Sequence, residues 1–114
     1  MLEQIKEVLS AFGMTVYYGM AEMVDGAAQW SYIVFNRDTL AWSENRTGYT
    51  DYIRVAIVQD AYIEDGLAEQ IVAAMESIPG IRRASGPGQY EYTRKPKTDA
   101  VVEMLVIPFI RARK

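Results

Sequence analysis

The chain has 114 residues, a formal net charge of −3 and a half-hydrophobic composition, which is typical of a single folded domain spanning residues 1–114. It contains no cysteine and no histidine, so disulfides, thiolate metal sites and histidine-assisted nucleophiles are excluded. No apolar run reaches the roughly 18 residues of a membrane span, so we expect no membrane partner. The missing histidine removes the commonest general base and metal ligand and favours a non-enzymatic protein, for which we expect no cofactor or metal.

The N-terminal third predicts one helix and two strands. Apolar residues recur at helical spacing over residues 2–12, and Gly13 follows as a plausible C-cap. Residues 15–18 predict a short strand. Residues 30–36, WSYIVFN, are rich in aromatic and β-branched side chains, which is typical of strands. We therefore expect this part to read helix, strand, strand.

The middle of the chain predicts a strand followed by the second helix. We expect Arg37-Asp38 to turn the chain and residues 40–44 to form a further strand or a loose ribbon. The segment YTDYIRVAIVQ, residues 49–59, is the second strong strand. A helical stripe then predicts a helix over residues 63–77, which Pro79-Gly80 would stop.

The last third predicts extended chain. Residues 81–84 begin a strand, Gly86-Pro87-Gly88 interrupts it, and QYEYTR at 89–94 resumes it. The closing strand, AVVEMLVIPFI at 100–110, is apolar except for Glu103 and Pro108. Alternate side chains of a strand lie on opposite faces, and here both faces are apolar, so both should be covered.

These elements predict an α+β fold in the order α-β-β-β-α-β-β. Its simplest packing is a mainly antiparallel β-sheet with two α-helices packed on one face. Helices on one face leave the other side of the closing strand uncovered. We therefore expect a second copy of the chain to cover it.

Charge is unevenly distributed along the chain. Residues 1–80 carry a net −8 and residues 81–114 a net +5. This asymmetry predicts surfaces of opposite sign, which fit either a basic patch for nucleic acid or complementary edges within an assembly. Solvated charge without a partner is the alternative to both.

Few residues are candidates for chemistry. Asp51, Glu91 and Glu103 lie in predicted strands and could act as a carboxylate pair only if two of them met on one face. The competing interpretation pairs Glu103 with a basic residue such as Arg54. The GPG turn lacks the length and the Lys-Ser/Thr of a phosphate-binding loop.

The basic C-terminal third raises the question of nucleic-acid binding. Basic side chains neutralise phosphate, and Tyr90 and Tyr92 lie nearby in the sequence. The whole chain is acidic, however, with an isoelectric point near 4.9, and it lacks an RNA-binding strand motif. We expect no sequence-specific recognition, and at most non-specific contact with DNA that passes through an assembly.

In its order of elements the chain resembles small neck and tail-completion proteins of long-tailed phages, which include the tail terminator and tail-to-head joining families. The resemblance rests on the first helix, the WSYIVF strand, the YTDYIRVAIV strand, the EDGLAEQIVAAMESI helix, the PGI step and the closing strand. It covers nearly the whole chain, but in pattern and length rather than in a diagnostic motif.

The resemblance implies a structural virion protein that forms a homo-oligomeric ring, often of six subunits. Such a ring caps the tail tube or joins it to the neck or connector proteins of the head. An extended ribbon contacts the tube or the next subunit, and the candidates here are residues 37–48 and 94–99. The residues that we expect at interfaces are Trp42, Tyr49, Arg82, Arg83, Arg94, Lys95, Lys97, Arg111 and Arg113.

Two other functions stay open at this stage. The first is a dimeric module that binds a small molecule near Gly86–Gly88, between the sheet and its partner. The second is a histidine-free enzyme that uses Asp51 or Glu103.

Overall fold

The fold is known from a computed structural model that describes residues 2–19, 30–42, 48–94 and 100–113, without the side chain of Arg113. These residues form two helices and six strands. In chain order they are α1 (Leu2–Ser10), β1 (Thr15–Tyr18), β2 (Tyr32–Trp42), β3 (Tyr49–Asp60), α2 (Leu67–Glu76), β4 (Ile81–Arg83), β5 (Gln89–Arg94) and β6 (Val101–Arg113).

All six strands belong to one sheet, in the order β1-β2-β3-β6-β4, with β5 also paired to β6. The β1–β2 pair is parallel and the other pairs are antiparallel. The predicted α+β class and its mainly antiparallel sheet are therefore confirmed. β6 is central, as its apolar sequence indicated, because it lies between β3 and the β4 and β5 edge.

Both helices cover the same face of the sheet, which we call the helix face. In register across β3 and β6, Ile53 lies opposite Phe109 and Val55 opposite Ile107, and all four side chains are at most 4% exposed. Ile5 and Leu9 of α1 and Ile71 and Met75 of α2 complete this core. Burial of such side chains is the main stabilising contribution to the fold.

The opposite side of the sheet, which we call the open face, is also apolar along its middle. One cross-strand row joins Val34, Ala56 and Val106, and each of these side chains is half-buried. Pro108 and Ile110 continue the apolar surface along β6. The structure thus confirms that both faces of β6 are apolar and that the helices account for only one of them.

The predicted turn at Arg37-Asp38 is wrong. β2 runs through these residues, and its register with β3 shifts between Arg37 and Thr39. One additional residue is absorbed as an irregularity of the ladder, which redirects a strand without ending it. β2 and β3 therefore form one long ladder that reaches the Trp42–Tyr49 pair.

The second helix is shorter than predicted. It begins at Leu67 instead of residue 63, after Gly66, whose φ of 94° lies in the left-handed region. Ile63 is buried in the core before the helix starts, which explains why it matched the helical stripe. Among the described residues, no helix is long and apolar enough to cross a membrane.

The GPG segment interrupts a strand, as predicted. β4 and β5 flank it, and both pair with β6 along the same edge. Gly86 has a φ of 109°, a conformation that favours glycine. Because of this interruption, three strands follow α2 in the structure, whereas the predicted order has two.

Candidate interaction surfaces

The far end of the β2–β3 ladder exposes an aromatic pair. Trp42 and Tyr49 lie opposite each other and pack edge to face with ring centroids 4.8 Å apart. Trp42 is 70% exposed and Tyr49 is 40% exposed. Register places both side chains on the helix face. Because they are nevertheless exposed, the helices do not cover this end of the sheet. Paired aromatic rings hold each other in place at little entropic cost, which suits them as interface anchors.

The described residues of the predicted basic segment do not gather in one patch. Arg82 and Arg83 are exposed on opposite faces of β4, because Arg82 lies beside Ile110 and Arg83 beside Phe109. Arg94 is exposed at the end of β5, and Arg111 is half-buried. Lys95, Lys97 and the Arg113 side chain lie outside the described part of the chain. The structure therefore divides the predicted basic segment between two surfaces.

A buried carboxylate lies beneath the exposed end of the ladder. Asp51 is 3% exposed and has Leu40 and Arg111 as its cross-strand neighbours. The pKa of Arg37 is raised, mainly by the hydrogen bond that its Nε donates to the Tyr18 hydroxyl at 3.1 Å, and to a smaller extent by the nearby charge of Asp51. Polar groups thus interrupt the core at this end.

The three candidate carboxylates do not form a pair. Asp51 lies beside Arg111, which is eight residues along β6 from Glu103, a separation of about 26 Å at the usual strand rise. Glu91 is exposed on the open face beside Met104. Paired-carboxylate catalysis needs a separation below about 10 Å. Nor do the described residues contain a cluster of carboxylates that could hold a metal ion.

Glu103 has a structural role that differs from the one expected. Arg54 cannot pair with it, because register places Arg54 on the open face and Glu103 on the helix face. Instead, the amide of Ile63 donates to Glu103 Oε1 at 2.8 Å. The Tyr92 hydroxyl also donates to Glu103, and this bond is the main cause of a raised Tyr92 pKa. Glu103 thus fixes the chain that leads from β3 into α2.

A groove of about 380 Å³ lies between α2 and the β5 edge. Its floor is apolar, and Glu69, Glu76 and Arg83 lie at its rim. The backbone of Gly88 lies close to the side chain of Leu105. A Cβ atom at position 88 would lie 3.3 Å from Leu105 Cδ1, so a larger residue would require the Leu105 side chain to shift. The apolar lining consists of Ala68, Val72, Ala73, Gly88, Tyr90, Leu105 and Ile107.

The surface around Arg54 is not among the expectations from the sequence, in which Arg54 is only a partner for Glu103. The alternation of YTDYIRVAIV nevertheless separates Arg54 from the buried Ile53 and Val55. The sequence does not show which residues of β6 lie next to this surface. In the structure, Pro108 lies beside Arg54 and Ile110 lies beside Tyr52.

No protein-family model matches the chain, and no curated protein matches its sequence.

Proposed function

We propose that the chain is a non-enzymatic virion protein that forms a ring at the head–tail junction or at the end of a phage tail. Its partners would be other copies of itself, the tail-tube protein and the neck or connector proteins. The ring would act by geometry, because it offers one face that resembles the tube and another that does not. Polymerisation of the tube would then stop, and the second face would receive the neck.

The observation that carries this proposal is the exposed aromatic end of the long β2–β3 ladder. The described part of the chain extends over 52 × 28 × 24 Å and is therefore elongated. At one end, Trp42, Tyr49 and Leu40 expose apolar surface that the helices do not cover. Exposed apolar side chains of this size indicate a protein contact, and an elongated strand pair is suited to reach a neighbour.

The apolar open face gives the proposal a second support. Val34, Ala56 and Val106 are apolar where a solvated sheet would alternate with polar residues. A subunit with two separate contact surfaces can join two neighbours, and a heterologous contact that closes on itself generates a ring.

The first test is the oligomeric state of the full chain. Light scattering coupled to size exclusion, across ionic strength and protein concentration, should reveal a closed multiple of the 12.9 kDa subunit, and electron microscopy should reveal rings. A chain that stays monomeric under all conditions, alone and with the tail-tube protein, would contradict the proposal.

The second test compares two exposed aromatic residues. Trp42→Ala should weaken assembly or tube binding at least about tenfold, as expected of an aromatic anchor. Tyr62→Ala is the matched control, because Tyr62 is 65% exposed but lies in the β3–α2 connection, away from the ladder end. Equal effects of the two variants would remove the ladder end from the proposed contact.

The groove beside Gly88 favours a second candidate function, a regulatory module that binds a small molecule. Its volume lies within the usual range of ligand pockets, and its apolar floor is combined with a few charged rim groups. A metabolite panel in a thermal-shift assay tests this function. A ligand whose stabilisation is lost on Val72→Glu, within the groove, would favour it over the ring, whereas a flat response would count against it.

A further inference from the structure

The two helices and one end of the open face carry charges of opposite sign, while the exposed carboxylates of the open face, Asp60 and Glu91, lie towards its other end. On the helix side, the exposed carboxylates of α1 and α2 are Glu3, Glu7, Glu69 and Glu76, which we call the acidic helical surface. Lys6 is the one basic residue within the two helices. The two helices, which contact each other, therefore carry mainly negative charge, although Arg83 lies beside Glu69 and Glu76 at the groove.

The open face carries a basic and apolar surface around Pro108 and Ile110 of β6. Tyr52, Arg54, Arg82, Pro108 and Ile110 form it, and we call it the Arg54–Arg82 patch. Register places Arg54 beside Pro108, and Tyr52 and Arg82 on either side of Ile110. The two arginines are exposed and flank β6 with Cα atoms about 12 Å apart at the usual strand spacing. Tyr52 is 38% exposed.

The composition of this patch is that of a protein interface. Tyrosine and arginine are enriched in interfaces, where an apolar centre is surrounded by polar groups. Here Pro108 and Ile110 form the centre and the two guanidinium groups the rim. A recess of about 350 Å³ adjoins the patch between Arg82, Ile110 and Thr50, which would accept a side chain of a partner.

Within the part of the chain that the structure describes, the charges of the Arg54–Arg82 patch are not neutralised by an ion pair. Among the described residues, no ion pair or side-chain hydrogen bond involves Arg54 or Arg82. The same holds for Glu3, Glu7 and Glu69 within the described residues. Both surfaces are thus available to a partner of opposite charge, and the chain itself contains one of each sign.

We infer that the Arg54–Arg82 patch docks against the acidic helical surface of a second copy of this chain. The two surfaces lie on opposite sides of the sheet. When two copies make one such contact, the Arg54–Arg82 patch of one copy and the acidic helical surface of the other remain unused. Such a heterologous contact continues from copy to copy until it closes. The inference rests on the proposed ring for the identity of the partner, and it adds which two faces meet.

Charge reversal tests this contact directly. Arg54→Glu/Arg82→Glu should weaken self-association about 100-fold, because juxtaposed like charges across an interface cost several kcal/mol. Glu7→Lys/Glu69→Lys should do the same from the other side. An equimolar mixture of the two variants should recover association, because each supplies the surface that complements the other. Circular dichroism and thermal unfolding check that each variant is folded.

The matched control is Arg94→Glu, which makes the same charge change on the exposed end of β5, outside the patch. It should change self-association less than threefold, while Arg82→Glu alone should weaken it about tenfold. The wild-type contact should also weaken with added salt, because exposed charges are screened.

The outcomes separate this inference from the proposed function. Wild-type assembly that is unaffected by either double reversal would overturn the inference and leave the ring intact. A double reversal that abolishes retention on heparin but not assembly would assign the patch to a polyanion, and would also overturn it. A wild-type chain that never assembles would overturn both.

Discussion

Glu103 is the residue whose replacement tests the fold most sharply. It is an acid in an apolar strand, and it accepts hydrogen bonds from the Ile63 amide at 2.8 Å and from the Tyr92 hydroxyl. Gly66 at the start of α2 has no side-chain cap. The bond from Ile63 therefore holds the backbone just before a helix that lacks its own cap.

Glu103→Ala should destabilise the domain by about 2–3 kcal/mol. A hydrogen bond to a charged group contributes roughly 1.5–3 kcal/mol, and its loss leaves the Ile63 amide without this acceptor. The Tyr92 bond adds little, because Tyr92 is 63% exposed and water competes for it. Glu103→Gln should cost about 1 kcal/mol, since a neutral acceptor remains.

Urea denaturation at fixed protein concentration measures these changes, and 2–3 kcal/mol corresponds to a midpoint shift of about 1 M or more. Glu91→Ala is the control, because Glu91 is an exposed strand glutamate whose loss should change stability by less than about 0.5 kcal/mol. Hydrogen exchange should also accelerate at the Ile63 amide in Glu103→Ala. Equal stabilities of the two alanine variants, with an unchanged Ile63 amide, would refute the assigned role.

Three further predictions concern the core, the start of α2 and the tyrosines. Phe109→Ala should destabilise by about 3–5 kcal/mol in urea, because Phe109 is fully buried between the sheet and the helices; a loss below 1 kcal/mol would mean that the core is misassigned. Gly66→Ala should cost about 1 kcal/mol from backbone conformation alone, since its φ is 94° and nothing lies within 4 Å of the added Cβ; a stabilised variant would contradict the left-handed conformation. Tyr32 and Tyr92 should deprotonate above the ordinary pKa of 10.0 in an ultraviolet titration, because burial raises the Tyr32 pKa and the Glu103 bond raises the Tyr92 pKa. The neutral forms of these two tyrosines contribute fully to the free energy of unfolding below the ordinary pKa of 10.0. This contribution is lost as the pH rises through the raised pKa values. Tyr32→Phe and Tyr92→Phe should therefore reduce the loss of stability above about pH 10.

The local patterns of the sequence were sufficient for the class of fold. Period-two alternation and β-branched residues located β3 and β6, and helical spacing located α1 and α2, to within a few residues. The apolar run of β6 also indicated a central strand, because an edge strand or a half-solvated strand would carry polar residues on one face. Where the pattern failed, at Arg37-Asp38 and at Ile63, the residues satisfy contacts that are distant in sequence.

Those distant contacts were decided only by the tertiary structure. Alternation separates Arg54 from Ile53, but it does not reveal that Arg54 lies beside Pro108 or that Arg82 completes the same patch across β6. It identifies Glu103 as an exception without naming the amide, forty residues away, that binds it. Hydrophobic periodicity is a local property, whereas strand order, register and the partners of polar groups depend on how separate segments pack. The sequence by itself therefore determined most of the elements and the two apolar faces of β6, and the packing decided which residues share a surface.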